Sequence, residues 1–222
     1  MLGKGLPVKK SEDVNKRRSD AIDKSSTCEI AFLLDRSGSM RAYAKEAIEG
    51  FNGFIDSQKG QPGYADLTLC LFDDDTEILM DGVNLNNARY LDRGNYRLRG
   101  WTALLDAVGY TMSQMMVRHS ESGHPARVIV VILTDGEENS SREYSHSVVK
   151  SMVERVKAIY GWEFIVIGVG VNAESIASDL GIDKCCALPE AGTPDGMRRA
   201  FQASTQSVAH FRKTGTVKLL GK

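Results

Sequence analysis

The chain has 222 residues, of which 42% are hydrophobic and 26% are charged, values typical of a globular protein with a sizeable core. This length fits one α/β domain and is short for two. The net charge of −1 gives no general positive field for a phosphate backbone, which argues against a dedicated nucleic-acid-binding protein. We find no apolar stretch suited to a membrane span or a secretory signal. A soluble, cytoplasmic protein with reduced cysteines is therefore expected.

The first 26 residues differ in composition from the rest of the chain. They are polar, with seven basic and four acidic side chains, and they show no hydrophobic period. This composition predicts a flexible basic arm. From residue 27 onward short apolar runs alternate with amphipathic stretches, which is typical of an α/β sheet. We therefore divide the chain into an arm (1–26), one domain (27–213) and a C-terminal tail (214–222).

The elements of the domain are predicted in the following chain order: strand 30–34, helix 40–57, strands 67–72 and 76–80, helix 102–118, strand 128–133, helix 142–160, strand 164–169, a short helix near residue 175, a weak strand 185–188 and helix 194–211. Three aspartates, 73–75, separate two short β-like runs and predict a hairpin turn at a sheet edge. Helices between parallel strands cross over with one hand and cover both faces of the sheet. The predicted fold is a Rossmann-like, doubly wound α/β sheet, mostly parallel with one antiparallel edge strand.

Oxygen-bearing side chains occur where strands end. Asp35, Ser37 and Ser39 follow the first strand, Thr102 begins a helix, and Asp135 follows strand 128–133. Ligands of open α/β sheets bind at the carboxyl ends of the strands, so these three loops are expected to meet at one edge. Two carboxylates and three hydroxyls are hard donors of the kind that Mg²⁺ or Mn²⁺ prefers. Helix capping is an alternative explanation, but it accounts for only the first loop.

These motifs resemble the metal-ion-dependent adhesion site of the von Willebrand factor A (vWA) domain family. The resemblance spans residues 27–211 and rests on Asp35-x-Ser37-x-Ser39, Thr102 and Thr134-Asp135-Gly136. Within the family, the chain resembles the intracellular single-domain members of prokaryotic or phage type. It implies that Ser37 and Ser39 bind the metal directly, that Asp35 and Thr102 bind directly or through water, and that Asp135 acts mostly through a bridging water.

The resemblance also implies a function, because the family completes the metal shell with an Asp or Glu of a protein partner. We therefore expect a non-catalytic adaptor that binds Mg²⁺, with Mn²⁺ or Ca²⁺ as alternatives. A second copy of the chain is a further candidate partner. Three residues are expected at the partner-binding rim. They are Arg36, which would point away from the cation, Trp101, which would provide an apolar anchor, and Glu137.

Two other functions remain open from the sequence. The first is a metal-dependent hydrolase or phosphoryl-transfer enzyme with Asp35 as nucleophile and Glu137 as base, although the three loops contain no lysine or histidine to assist. The second is a structural subunit in which the metal only ties the loops together. Cys185 and Cys186 are expected on a strand, where they would face opposite sides as small buried side chains.

Overall fold

The computed structural model describes residues 27–125 and 127–220, and the strands within these ranges form one six-stranded sheet in the order β3-β2-β1-β4-β5-β6. The strands are β1 (Cys28–Asp35), β2 (Ala65–Phe72), β3 (Thr76–Asn84), β4 (Arg127–Thr134), β5 (Glu163–Val169) and β6 (Ala187–Glu190). Neighbouring strands are parallel except for β2 and β3, which pair in antiparallel fashion at one edge. The predicted fold class is confirmed.

The described chain has five α-helices, of which the first four lie between strands and the fifth follows the last strand. They are α1 (Ala44–Lys59), α2 (Leu104–Ser122), α3 (His146–Tyr160), α4 (Ala173–Asp179) and α5 (Pro194–Thr214), and short 3₁₀ helices cover Gly38–Tyr43, Leu85–Asn87 and Lys184–Cys186. None of the described helices combines the length and the apolar character that a membrane crossing requires.

The sheet lies between two layers of helices because the side chains of its central strand alternate between two hydrophobic clusters. Ile30, Phe32 and Leu34 of β1 pack towards α1 and α5. Ala31 and Leu33 pack towards α2, α3 and α4. A parallel strand covered on both faces is expected to be apolar at every position, which is the pattern that identified β1 in the sequence.

Several predicted boundaries differ from the structure by a few residues, for example the strand predicted at 76–80, which runs over Thr76–Asn84, and two differences have identifiable reasons. Helix α3 begins at His146 rather than near residue 142, because the carboxylate of Asp106 accepts hydrogen bonds from the backbone of residues 142–144 and holds them in a loop. Strand β6 begins at Ala187, so Cys185 and Cys186 lie on a 3₁₀ helix instead of a strand. The prediction that both are buried on opposite faces is also wrong, since Cys185 is exposed. The predicted basic arm (1–26) lies outside the described residues.

Candidate metal centre

Two loops that are distant in sequence meet at the carboxyl ends of β1 and β4. These strands are parallel neighbours, and their register pairs Leu34 with Leu133. The residues that follow, Asp35 and Thr134, therefore leave the sheet side by side. Thr134 donates a hydrogen bond from its hydroxyl to Oδ2 of Asp35 over 2.5 Å. This contact joins the first and third of the sequence motifs across 99 residues.

Asp35 is buried at the bottom of this edge. Its Oδ1 accepts a hydrogen bond from the backbone N–H of Ser37 over 2.7 Å, which folds the following loop back over the carboxylate. Burial raises the pKa of Asp35 to about 6, against the opposing effect of the hydrogen bonds from Thr134 and Ser37. The negative charge of Asp135 raises the Asp35 pKa further. Asp135 is therefore close enough to Asp35 to disfavour the ionised form of the Asp35 carboxyl group.

A chain of hydrogen bonds links the remaining oxygen donors of these two loops. Ser37 Oγ lies 3.0 Å from Ser39 Oγ, and Ser39 donates to Oδ1 of Asp135 over 2.7 Å. Burial also raises the pKa of Asp135, although the hydrogen bond from Ser39 opposes it. The donors Asp35, Ser37, Ser39 and Asp135 therefore form one continuous group at the sheet edge.

Thr102 approaches the same group from the loop before α2. A Cβ atom on Gly136 would lie 2.7 Å from Thr102 Oγ1, so the glycine beside Asp135 leaves room for the threonine hydroxyl. The backbone N–H of Thr102 donates to the Asn139 side chain, and Thr102 accepts through its carbonyl from the Asn139 N–H. All five oxygen-bearing residues predicted from the sequence lie on this edge of the sheet.

The expectation that Arg36 points outward is wrong, because Arg36 is only 3% exposed. Its Nε donates to Asp73 over 2.7 Å, and its guanidinium also pairs with Glu77. Asp73 accepts a second ion pair from Arg99 over 2.8 Å. The register explains this network, since Asp35 pairs with Phe72 and the next residue of each strand therefore emerges at the same level. Arg36 ties the loop after β1 to the hairpin instead of belonging to the rim.

Trp101 and Glu137 occupy the exposed positions expected of them. Trp101 is 69% exposed, and its backbone N–H donates to Oδ1 of Asp74. Gly100 has a positive φ of 65°, and a Cβ there would lie 2.1 Å from the Asp74 carboxylate, so a larger residue would disturb the turn that presents Trp101. Glu137 is exposed directly after the loop of Asp135.

The sequence matches the model of the von Willebrand factor type A domain over residues 29–205. The chain belongs to this family. No match was found among curated proteins. Solved structures support the same vWA fold, among them proximal thread matrix protein 1 from the mussel byssus (TM-score 0.60, 15% identity, covering 85% of this chain and 48% of that one). The chain thus spans less than half of the mussel protein.

Two further similar structures come from microorganisms. The vWF domain of the type V pilus tip protein Mfa5 from Porphyromonas gingivalis has a TM-score of 0.61 at 11% identity and covers 86% of this chain and 98% of that one. The manganese-loaded TRAP protein of Plasmodium vivax has a TM-score of 0.56 at 19% identity, covering 79% and 72%. At these identities the likeness concerns the fold.

The donor set of this vWA domain fits a hard divalent cation. Among the described residues neither Asp35 nor Asp135 forms an ion pair, because the nearby Arg36 and Arg99 are engaged by Asp73 and its neighbours. Two carboxylates without counter-charge next to three hydroxyls favour a bound cation. The described residues contain no cluster of three His, Cys, Asp or Glu side chains suited to a metal, so any ion here depends on the hydroxyls as ligands.

Sequence reasoning missed the residues that support these loops. Asp73 was interpreted only as part of a turn, and Thr134 only as part of a motif. Tyr96 donates from its buried hydroxyl to the backbone carbonyl of Asp35 over 2.6 Å. Glu138 accepts from the N–H of Leu105 at the start of α2, as well as from two serine N–H groups and one hydroxyl of its own loop. The ion pair between Arg36 and Asp73 could have been predicted, because the two residues directly follow neighbouring strands of the predicted sheet.

Proposed function

We propose that this vWA domain is a non-catalytic protein-binding module that engages an Asp or Glu of a partner through a bound divalent cation. Mg²⁺ is the proposed ion, with Mn²⁺ or Ca²⁺ as substitutes. Its proposed ligands, direct or through water, are Asp35, Ser37, Ser39, Thr102 and Asp135. The observation that carries the proposal is the grouping of the buried Asp35 and the half-buried Asp135, neither ion-paired within the described residues, with three hydroxyls from two loops.

The charge balance of this donor set supports capture of a carboxylate. Two formal negative charges are contributed by Asp35 and Asp135, while the hydroxyl ligands are neutral. A dication held this way keeps its attraction for anions and keeps coordination positions that water fills. A carboxylate supplied from outside would replace such a water and add a directional contact at the centre of an interface. The manganese-loaded relative is in keeping with a divalent ion in this fold.

The proposed contact surface around the ion includes Trp101 and Glu137. An exposed aromatic side chain beside a metal-bound carboxylate would provide apolar area that a single polar contact lacks. Glu137 carries a negative charge at the same edge and would favour a partner with a basic residue near its acidic ligand. A second copy of this chain remains a proposed partner, because its surface also carries carboxylates.

A hydrolytic role for the same loops receives less support. Both carboxylate oxygens of Asp35 accept hydrogen bonds from Ser37 and Thr134, and the side chain is fully buried, which is unsuitable for a nucleophile that must reach a substrate. Glu137 is exposed to water and has no hydrogen bond or ion pair within the described chain that would orient it as a base. We therefore propose a binding function without catalysis.

The proposal is tested by affinity capture from the lysate of the native host, in Mg²⁺ and in EDTA. The informative variant is Ser39→Ala, since Ser39 is exposed and its loss leaves the core intact. Ser120→Ala is the matched control, because this exposed serine on α2 donates only to its own helix. The proposal predicts a partner retained in Mg²⁺ by the wild type and the control, and lost with EDTA or with Ser39→Ala. Identical partners under every condition would contradict it.

A further inference from the structure

The four cysteines of the chain fall into two classes. Cys28 and Cys70 are buried in the hydrophobic clusters, and burial raises the pKa of each thiol to about 12. Cys185 is exposed and Cys186 half-buried, and their sulfur atoms are 3.8 Å apart. Thiol chemistry of the folded protein is therefore concentrated on this adjacent pair.

The 3₁₀ helix brings the two thiols together. The N–H of Cys186 donates to the carbonyl of Asp183 over 2.8 Å and closes the turn. Successive side chains of a 3₁₀ helix are about 120° apart, since it has about three residues per turn, whereas on a strand they point to opposite faces. The departure from the predicted strand is thus what creates a vicinal dithiol.

Two carboxylates, those of Glu163 and Asp183, lie close enough to the dithiol to affect the pKa of Cys186. Burial is the main reason why the pKa of Cys186 is raised to about 12, and the charges of Cys185, Glu163 and Asp183 raise it further. Asp183 is paired with Lys157 over 2.7 Å, while burial raises the pKa of Glu163. Nearby carboxylates disfavour a bare thiolate anion. The same carboxylates attract a cation, so they favour thiolates whose charge is neutralised by a metal ion that replaces the two protons.

The separation of the sulfur atoms fits chelation better than a disulfide. Two thiolates at about 2.3 Å from one tetrahedral zinc ion are about 3.8 Å apart, which is the distance between the two Sγ atoms. A disulfide between adjacent residues is strained, because their Cα atoms are about 3.8 Å apart across a trans peptide and ordinary disulfides need roughly 4.4–6.8 Å.

We propose that Cys185 and Cys186 form a bidentate site for a soft, thiophilic cation of the Zn²⁺ and Cd²⁺ class. On binding, each thiol releases one proton to solvent and forms one bond from sulfur to the metal. The described residues offer no group of three His, Cys, Asp or Glu ligands, so water or a solute completes the shell and the ion is exchangeable. Because this site precedes β6, it lies at the end of the sheet opposite the Asp35 loop and is independent of it.

The test is a titration of the full chain with Cd²⁺ alone, followed by the ultraviolet charge-transfer absorption of cadmium thiolates. We expect one Cd²⁺ per chain in this signal, protection of both thiols from iodoacetamide, and an affinity loss of more than about tenfold in Cys185→Ser and in Cys186→Ser, since each removes the chelate. Ser120→Ala is the control, because this exposed serine on α2 donates only to its own helix and belongs to neither site, and it should leave the signal unchanged. Circular dichroism establishes that each variant is folded.

Two results would overturn the proposal. One is the absence of cadmium–thiolate absorption in the folded wild type at millimolar Cd²⁺. The other is a folded single-serine variant that binds Cd²⁺ as tightly as the wild type, because that would show one-sulfur binding. Phenylarsine oxide provides a second measurement that does not depend on the absorption. One molecule of phenylarsine oxide should bind per wild-type chain, forming two arsenic–sulfur bonds with the release of one water. A small dithiol should remove it, whereas a monothiol should not.

Discussion

The ion-pair network around Asp73 gives the sharpest prediction about stability. Asp73 is 0% exposed and accepts from Arg36 over 2.7 Å and from Arg99 over 2.8 Å. In Asp73→Ala the buried guanidinium of Arg36 keeps only its contact with Glu77, whose side chain is 49% exposed. Removing one partner of a buried ion pair costs about 3–5 kcal/mol, so we expect the free energy of unfolding to fall by about that amount.

The assay is urea and thermal unfolding of the wild type, Asp73→Ala and Asp75→Ala. For a chain of this size the loss corresponds to a melting temperature lower by about 6–20 °C. Asp75 also pairs with Arg99, but its side chain is 74% exposed, so its replacement should cost under about 1 kcal/mol. If the free energies of unfolding of the two variants fall by the same small amount, the ion-pair network does not hold the loop after β1 in place and the reasoning is wrong.

Two further predictions concern the opposite end of the sheet and the rim. Burial raises the pKa of Glu29, but the hydrogen bond from His119 and the charge of Arg118 outweigh it, and the folded-state pKa is lowered. This stabilisation is present above the unfolded pKa of about 4.3 and is lost as the pH falls through the folded value. The difference in the free energy of unfolding between wild type and Glu29→Gln, measured in urea, should therefore become smaller below about pH 4. A difference that does not change with pH would refute this. Trp101→Ala should weaken partner capture with a nearly unchanged melting temperature, because Trp101 is exposed; a large loss of stability would sink the idea of an exposed anchor.

The strands of the sheet could be predicted from the sequence, because each strand is recognised from the pattern of its own residues. Continuous apolar runs identified β1 and β4, and the short run of aspartates identified the hairpin between β2 and β3. The same logic located the oxygen-rich loops, since parallel strands present their carboxyl ends at one edge. The fold class and the family needed no contact between distant residues to be recognised.

What the sequence did not reveal depends on contacts between loops. From the sequence alone, Arg36 is expected to face solvent because it lies within the Asp35-x-Ser37-x-Ser39 motif. The register of β1 with β2 places Asp73 next to Arg36, where the two form an ion pair. Residues 142–144 are predicted as helical from the sequence, but the carboxylate of Asp106 on α2 accepts hydrogen bonds from their N–H groups and keeps them in a loop. Cys185 and Cys186 are predicted on a weak strand, yet they lie on a 3₁₀ helix, in which the N–H of Cys186 donates to the carbonyl of Asp183. For Arg36 and for residues 142–144 a tertiary contact outweighs a local preference, whereas for the cysteines a local turn does.

The most direct test of the account is a calorimetric titration of Mn²⁺ into the wild type, Ser39→Ala and the control Ser120→Ala, with Mg²⁺ as competitor. The account predicts one ion per chain for the wild type and the control, displaced by Mg²⁺, and an affinity lower by at least about tenfold in Ser39→Ala, as for other losses around a metal. Equal Mn²⁺ binding by all three folded proteins, or no binding by any of them, would contradict a cation held by Asp35, Ser37, Ser39, Thr102 and Asp135.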